Sequence, residues 1–298
     1  MQKIVPNIWC NGNAEEAAEF YASVLPEASG RVLSRYPTEG LLDFQKEMAG
    51  LPLTAEVLID GFQLILINAG PEFSPNPSIS FMLNFDPSRD PDAAGALDRV
   101  WAGLADGGEV LMELGEYPFS PRYGWVADRF GVTWQLILTD PAGEPRPFVL
   151  PSLMFCGPVQ NRAKAAIDKY TSLFDDSAIG TLVDYATATG TADAGAVMFS
   201  DFTLVGEWFT ATDSAGPHDF TFGNGVSLQV NCADQAEIDR YWAALSAVPE
   251  AEQCGWCADE FGVSWQIVPG GMDDLMVTPE AYAAVMGMKK IVIDALPG

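Results

Sequence analysis

One acidic residue of this chain stands where a catalytic group could act on a bound molecule. Glu207 lies within FTLVGEWFT, a stretch that predicts a central β-strand. Counted in alternation from Phe202 and Leu204, which we assign to the core, Glu207 falls on the opposite face with Thr203. A carboxylate facing a cleft there would have its pKa raised by desolvation and could act as a general base. The alternative is a glutamate at a strand end, in contact with water.

The histidine and the cysteines are weaker candidates for chemistry. The only histidine, His218, lies beside Asp219 in a polar stretch, where a solvated side chain is commoner than a catalytic pair. Cys254 and Cys257 have the CxxC spacing of redox and metal motifs, but they lead into a predicted strand and not into the helix that a redox site needs. Five cysteines, an odd number, are typical of a reducing compartment and not of a disulfide framework.

Small polar residues alternate with apolar ones in the predicted strands, and they are the candidates for ligand binding. The apolar set of each strand faces helices, so the polar set faces a cleft. These hydroxyls and amides either contact a ligand or hydrogen-bond one another across the sheet, and both interpretations stay open. The predicted residues are Ser80, Asn84 and Gln135 in one cleft, and Ser227, Gln229, Asn231 and Gln266 in the other.

Two tryptophans are further candidates for ligand contact. Trp125 and Trp256 come just before the last predicted strands, near the expected mouth of each cleft. Trp134 and Trp265 follow in the apolar phase of those strands, and we assign them to the core. Large aromatic side chains serve in both places because they combine a wide apolar surface with one polar group.

These candidates occur in pairs because the chain contains one unit twice. YGWVADRFGVTWQLI, residues 123–137, returns as CGWCADEFGVSWQIV, residues 254–268, with nine of fifteen positions identical. A second match joins the DRVWA and DRYWA segments, and the second copy lacks ten residues around 116–122, where two prolines indicate a loop. We therefore expect two modules, residues 1–145 and 146–298, each long enough to bury a core.

The periodicity within each module predicts an α+β fold. Ile4 to Cys10 reads as a strand, and Asn13 is placed to cap the helix that follows. Asp60-Gly61 is a hairpin turn signal between two apolar runs. The full pattern of strand, helix, several strands, helix and two strands predicts two βαβββ units per module, with helices on one face of the sheet. The other predicted elements are strands at 53–59, 62–68, 78–85, 109–114 and 132–139, and a helix at 91–106.

Composition restricts the kinds of partner. Among 298 residues, 15 basic and 41 acidic side chains give a net charge of −26. This charge would repel a phosphate backbone or an anionic bilayer, so we expect no nucleic acid and no membrane as partners. We attribute the charge to solubility and not to a specific cationic partner. The longest apolar run is far too short to span a bilayer, and with no visible targeting signal we expect a cytoplasmic protein.

The repeated motif, together with WCNGNAEEAAEFYASVLP, ISFMLNF and DQAEIDRYWAAL, resembles the 3-demethylubiquinone-9 3-methyltransferase-like (PhnB-like) branch of the vicinal oxygen chelate superfamily. That superfamily includes glyoxalase I, extradiol dioxygenases and bleomycin-resistance proteins. The resemblance covers nearly the whole chain, twice. It implies tandem glyoxalase-like modules whose paired βαβββ units form a curled mixed sheet around a small-molecule cleft. A methyl donor would need a glycine-rich strand-to-helix loop, and Gly223-Asn224-Gly225 is too short for one.

The superfamily's usual chemistry implies a divalent metal held by histidine and glutamate. The matching histidine would fall near residues 6–7 and 151–152, where this chain has none, and the last-strand glutamate falls on Gln135 and Gln266. A neutral amide binds a divalent metal more weakly than a carboxylate does and adds no charge. We therefore expect no metal and no other cofactor.

Two hypotheses about function follow. The first is a metal-independent protein that holds an apolar or aromatic small molecule in its cleft. The second is an enzyme of the same superfamily, methyltransferase-like or isomerase/lyase-like, with Glu207 or a cleft water as base. The clefts could be completed within one chain or by a homodimer. The stretch TPEAYAAVMGMKKIVIDALPG, residues 278–298, has no copy after the first module, and it could pack across the modules or contact another subunit.

Overall fold

The computed structural model describes residues 2–276 and 278–296, which form four successive units and a C-terminal segment. The first unit contains β1 (Ile4–Cys10), α1 (Ala14–Val24), β2 (Ala28–Arg35), β3 (Pro52–Ile59) and β4 (Phe62–Asn68). The second contains β5 (Ile79–Phe85), α2 (Ala93–Ala105), β6 (Glu109–Tyr117), β7 (Ser120–Ala127) and β8 (Thr133–Leu138). The predicted βαβββ order is confirmed in both.

The second module repeats this order with one shortened unit. The third unit contains β9 (Val149–Phe155), α3 (Ala163–Leu173), β10 (Ala178–Asp184), β11 (Val197–Leu204) and β12 (Glu207–Asp213). The fourth contains β13 (Val226–Cys232), α4 (Gln235–Leu245), β14 (Trp256–Ala258) and β15 (Ser264–Pro269). Two short helices follow, α5 (Met272–Leu275) and α6 (Pro279–Met286).

The strands form two mixed sheets, and each sheet combines halves of both modules. The first sheet has the order β14-β15-β13-β1-β4-β3-β2, and the second has the order β10-β11-β12-β9-β5-β8-β7-β6. Antiparallel pairing joins the halves, with Asn7 of β1 opposite Ser227 of β13, and Ser80 of β5 opposite Ser152 of β9. One chain thus supplies both halves of each sheet. The sequence had left open whether the second half comes from the same chain or from a second one.

The two halves of each module meet instead through their helix-covered faces. The carboxylate of Asp128 accepts hydrogen bonds from Tyr21 Oη of α1 and from Trp134 Nε1 of β8, each at 2.8 Å. The backbone N–H groups of Phe130 and Val132 donate to its other oxygen. Burial raises the pKa of Asp128, although these four donors lower it in part. The AD-x-FGV-x-W part of the repeat is therefore a core motif that fastens one unit to the next.

The same buried arrangement returns in the second module. Tyr170 Oη and Trp265 Nε1 donate to Asp259 Oδ2 at 2.6 and 2.9 Å. All three side chains are at most 1 % exposed. Because the motif is complete in both copies, the sequence repeat reports the duplicated core, and the open faces of the sheets were free to diverge.

Three local predictions need correction. Asn13 makes no side-chain cap bond; Asn68 Oδ1 accepts from the backbone N–H of Ala14 at 3.0 Å in its place. The stretch around 116–122, predicted as a loop, forms the end of β6 and the start of β7 with only a turn at Pro118-Phe119. The prolines are tolerated because they occupy the turn and the beginning of a strand. The prediction also omitted β2.

The ten residues missing from the second copy correspond to part of this β6–β7 hairpin. In their place, the carbonyl oxygens of Met288 and Lys289 accept from the backbone N–H groups of Cys254 and Gly255, each at 2.7 Å. The C-terminal segment thus pairs with the edge of the first sheet at the place where the second sheet has the β6–β7 hairpin. Among the described helices, none combines the length and apolar character needed to cross a membrane.

Candidate functional site

The face of the first sheet that points away from the helices forms a cleft, here named the first cleft. On β1, Ile4 and Ile8 lie in the core while Val5, Asn7 and Trp9 line a cavity of about 930 Å³. The volume is within the range of small-molecule sites. Further lining residues come from the other strands of this sheet and from the C-terminal segment.

A row of amide side chains crosses the floor of the cavity. Asn7 Nδ2 donates to the carbonyl of Val5 at 3.1 Å and to Gln229 Oε1 at 3.3 Å. Gln229 Nε2 donates to Asn231 Oδ1 at 2.8 Å, and Asn231 Nδ2 donates to the carbonyl of Gln2 at 3.0 Å. Backbone carbonyls only accept, so they fix the orientation of this row. Asn7 Oδ1 has no hydrogen-bond partner among the described residues and remains an available acceptor.

Gln266 stands beside this row on β15. It is 6 % exposed, and its Nε2 donates to Ser227 Oγ at 2.9 Å. The structure thus brings together the residues predicted for one cleft: Gln229, Asn231, Gln266 and Trp256 line the cavity, and Ser227 is bonded to Gln266. Their neighbours across the cleft come from the first module and not from their own.

Glu56 of β3 is a buried carboxylate of this cavity that the sequence analysis missed. It is 5 % exposed, and its two oxygens lie 2.6 Å from Arg31 Nε and from Gln63 Nε2. The signal was present in LTAEVLID, where Glu56 alternates with the core residues Ala55 and Val57. Each oxygen of this carboxylate thus has a side-chain donor.

Three aromatic rings form one wall of the cavity. The ring of Trp9 lies edge-on to Phe73 at 4.9 Å and to Trp256 at 5.8 Å, measured between centroids. Trp9 Nε1 donates to the carbonyl of Gly70 at 2.7 Å, which fixes the indole. Such a corner offers flat apolar surface to a ligand.

The C-terminal segment covers the cavity on the side opposite the sheet. Tyr282 of α6 is 4 % exposed and lies against Tyr36, with 6.3 Å between ring centroids, and its hydroxyl accepts from Gln45 Nε2 at 2.8 Å. Met272 and Met286 of the same segment line the cavity. Methionine adapts its shape to varied apolar ligands. The segment therefore packs across the two modules and acts as a cap on the first cleft.

The corresponding face of the second sheet, the second cleft, is arranged differently. Gln135 Nε2 donates to Ser80 Oγ at 2.7 Å and lies 3.3 Å from Ser152 Oγ, while Gln135 Oε1 accepts from Tyr123 Oη at 2.8 Å. Burial raises the pKa of Tyr123. Here the polar groups bond one another across the sheet, the second of the two interpretations that the sequence allowed.

Two other predicted residues also belong to the second sheet. Asn84 Nδ2 donates to the carbonyl of Pro147 at 2.8 Å, so its amide holds the connection between the modules. Trp125 pairs with Gln135 in the sheet, and its Nε1 is buried without a hydrogen-bond partner among the described residues. The Oγ1 atom of Thr210 is likewise buried without a hydrogen-bond partner among the described residues.

The predicted orientation of Glu207 is wrong. Val205 and Gly206 form a two-residue turn with positive φ values of 51° and 74°, and Glu207 then pairs with Leu204 and shares its core face. The turn resets the alternation on which the prediction depended. The Glu207 carboxylate accepts from the backbone N–H groups of Lys3 and Ile4, at 2.5 and 3.0 Å, and it is not among the residues that line the cavity.

The histidine and the cysteine pair show no reactive arrangement. His218 Nε2 lies 2.8 Å from Ser214 Oγ on a surface loop, and its ring contacts Phe220. Burial raises the pKa of Cys254 to about 11 and that of Cys257 to about 12. Thiols with such pKa values are protonated at neutral pH and are poor nucleophiles.

The residues of the first cleft do not fit the metal centre that the superfamily implies. Asn7 stands in the stretch where the histidine was expected, and Gln266 where the glutamate was expected. Both are neutral amides, and the Glu56 carboxylate forms an ion pair with Arg31. Within the described residues, no group of three or more His, Cys, Asp or Glu side chains is placed to hold a metal ion.

Comparison with known proteins assigns the chain to a family. Residues 2–137 and 148–268 each match the sequence profile of the 3-demethylubiquinone-9 3-methyltransferase family. Among curated proteins, none matches the chain.

Several solved structures are similar to the chain. The PhnB protein from Bacillus cereus is 30 % identical, covering 46 % of this chain and 100 % of its own, with a TM-score of 0.39. Protein PA1353 from Pseudomonas aeruginosa is 26 % identical, covering 46 % and 98 %, with a TM-score of 0.37. A glyoxalase I mutant from Zea mays is 10 % identical, covers 91 % and 95 %, and has a TM-score of 0.50, which is a likeness of fold alone.

Proposed function

Because the chain belongs to the 3-demethylubiquinone-9 3-methyltransferase family, of which it carries two tandem copies, we propose that it binds a small apolar or aromatic molecule in the first cleft, without a metal. The family lies within the vicinal oxygen chelate superfamily, whose members share this fold and differ in activity. The fold alone therefore does not decide what the chain does, and the proposal depends on the site.

The single observation that carries the proposal is the capped cavity of about 930 Å³. Its floor has oriented amides, its wall has the rings of Trp9, Phe73 and Trp256, and its cap has the methionines of the C-terminal segment. A mostly apolar cavity with a few fixed polar groups is the common form of a small-molecule site.

The donor set supports binding without a metal. Asn7, Gln229 and Gln266 bring no negative charge, and they lack the imidazole and carboxylate ligands that divalent metals prefer. Protein purified without added metal should carry none, as measured by elemental analysis. Stoichiometric zinc, nickel or iron would overturn this part of the proposal.

A dye titration tests the binding site directly. The neutral fluorophore N-phenyl-1-naphthylamine should bind with one site per chain. Trp256→Leu should weaken its binding roughly fivefold, because a ring contact worth about 1 kcal/mol is lost. The matched variant Trp125→Leu changes the equivalent residue of the second cleft and should leave the affinity unchanged. Equal weakening by both variants would contradict the assignment to the first cleft.

Native mass spectrometry of the purified protein would identify a co-purified ligand. Molecules found in this way should be recovered unchanged after incubation with the protein. A product that appears with time, and fails to appear with a folded Glu56→Gln variant, would replace the binding function with an enzymatic one in the same cavity.

A further inference from the structure

The charges around the first cleft say which class of molecule it holds. We infer that the ligand carries a protonated amine on an apolar or aromatic body; this inference rests on the proposed function and adds the substrate class to it. Three features of the cavity carry it: the charge of its mouth, the aromatic corner and one unpaired acceptor on its floor.

The mouth of the cavity is negatively charged. Glu72, Glu250 and Asp274 line it, are exposed, and form no ion pair with any described residue. The only basic residue among the described lining residues is Arg31, and the buried Glu56 already neutralises it at 2.6 Å. The excess of three carboxylates attracts cations and repels anions, within a chain whose net charge is −26.

The aromatic corner lies next to one of these carboxylates. Phe73 directly follows Glu72 in the chain, and its ring is edge-on to Trp9. Faces of tryptophan and phenylalanine rings attract a cation, and tryptophan does so most strongly. An ammonium group could therefore lie between rings and carboxylates while the apolar body of the ligand fills the cavity.

The unpaired acceptor is Asn7 Oδ1 on the floor. Asn7 is 2 % exposed, and its Nδ2 is held by the carbonyl of Val5, so the amide cannot turn its oxygen away without losing that bond. An unpaired acceptor on the floor of a cavity is available to a donor group of the ligand. An N–H or O–H group on the body of the ligand is such a donor, whereas a carboxylate or sulfonate has none to offer.

Three naphthalene dyes test the inference. They share one fluorophore and differ only in their substituent, which is a protonated aminomethyl group, an acetamidomethyl group or a sulfonate. In the 298-residue chain at low salt, the ammonium dye should bind roughly tenfold more tightly than the neutral dye, and the sulfonate dye should bind most weakly. The advantage of the ammonium dye should shrink as salt is raised.

Matched variants separate the local charge from the overall charge. The triple variant Glu72→Gln, Glu250→Gln, Asp274→Asn should weaken binding of the ammonium dye much more than binding of the neutral dye, and so remove most of the preference. The control triple variant Glu109→Gln, Glu113→Gln, Glu116→Gln removes three exposed charges from β6 of the second sheet and should keep the preference. Loss of preference in both would mean that overall charge alone decides it, and would overturn the inference.

The remaining outcomes distinguish the inference from the proposed function. If the neutral or sulfonate dye binds as tightly as the ammonium dye, the inference is wrong and the binding function stands. If none of the three dyes binds, and N-phenyl-1-naphthylamine does not bind either, the proposed function fails and the inference fails with it.

Discussion

Gln266 in the first cleft and Gln135 in the second stand at equivalent positions of the repeat, but they meet different neighbours. Gln135 is bonded at both ends of its amide, to Tyr123 on one side and to two serines on the other. Gln266 has the equivalent serine, Ser227, but Cys254 stands where Tyr123 would be. The same residue type is thus structural where its three hydroxyl partners are present and lines a cavity where two of them have no counterpart.

The corresponding edges of the two sheets also differ, and again the first sheet has fewer contacts of its own. In the second sheet, β6 and β7 form a long hairpin beyond β8, whereas the first sheet has only the short β14. The C-terminal segment covers the exposed edge through Cys254 and Gly255, and it also places Tyr282 and the methionines over the cleft. The shorter hairpin region of one copy and the C-terminal segment together form a capped cavity on one side of a duplicated core.

The largest effects should come from the part of the molecule in which the two copies are alike. Asp128→Ala and Asp259→Ala each leave four buried donors unpaired, so each should lower the free energy of unfolding by about 3 to 5 kcal/mol. Urea unfolding followed by circular dichroism measures this. Asp219→Ala, at an exposed position, should change it by less than about 0.5 kcal/mol. A large difference between the two core variants would mean that the duplicated cores are not equivalent.

The pair of glutamines should show opposite consequences for stability and binding. Gln135→Leu leaves three hydroxyl groups without their partner and should cost about 2 kcal/mol of stability with no effect on dye binding in the first cleft. Gln266→Leu leaves one hydroxyl unpaired, should cost about 1 kcal/mol, and should change the affinity for the dye. Unfolding curves and dye titrations on both variants make the comparison. Equal effects on both measurements would mean that the clefts do not differ as described.

The sequence predicted the core better than the sites, for physical reasons that particular residues show. Alternation along β5, β8, β13 and β15 placed Ser227, Gln266 and Trp265 on the correct faces, because an uninterrupted strand keeps its period of two. It failed for Glu207, because the turn at Val205-Gly206 reset that period. Glu56 was missed because a single charged residue in an apolar run is a weak signal without its partners. Each sheet combines one half of each module, and this arrangement depends on pairing between distant strands that no local sequence pattern predicts.

The cap should matter for the first cleft and not for the second. Tyr282→Phe removes only the hydroxyl that accepts from Gln45, so stability should fall by about 1 kcal/mol and the dye should dissociate faster. Stopped-flow fluorescence measures the dissociation rate. Tyr117→Phe removes a comparable hydroxyl bond, to the carbonyl of Glu113, from the second sheet and should leave that rate unchanged. An unchanged rate in the Tyr282 variant would contradict the role of the segment as a cap.

The smallest effect should be a loosening of the cap in acid. A hydrogen bond from Lys290 lowers the pKa of Asp239, and hydrogen bonds from Ser246 and Lys289 lower that of Glu252. Because both carboxyls have lower pKa values in the folded protein than in the unfolded chain, their stabilisation is complete above the ordinary pKa values and is lost as pH falls through the lowered ones.

Between about pH 5 and about pH 3, the protection of the backbone N–H groups of Cys254 and Gly255 against hydrogen exchange should therefore fall, since their acceptors lie in the loosened segment. The double variant Asp239→Asn, Glu252→Gln should lose this pH dependence. Amides of β7, which pairs with strand β6 where the first sheet has the C-terminal segment, provide the internal reference. Equal acid sensitivity of the two sets of amides would mean that general unfolding is responsible, and not the ion pairs Lys290–Asp239 and Lys289–Glu252. If the ion pairs are responsible, added salt should reduce the effect.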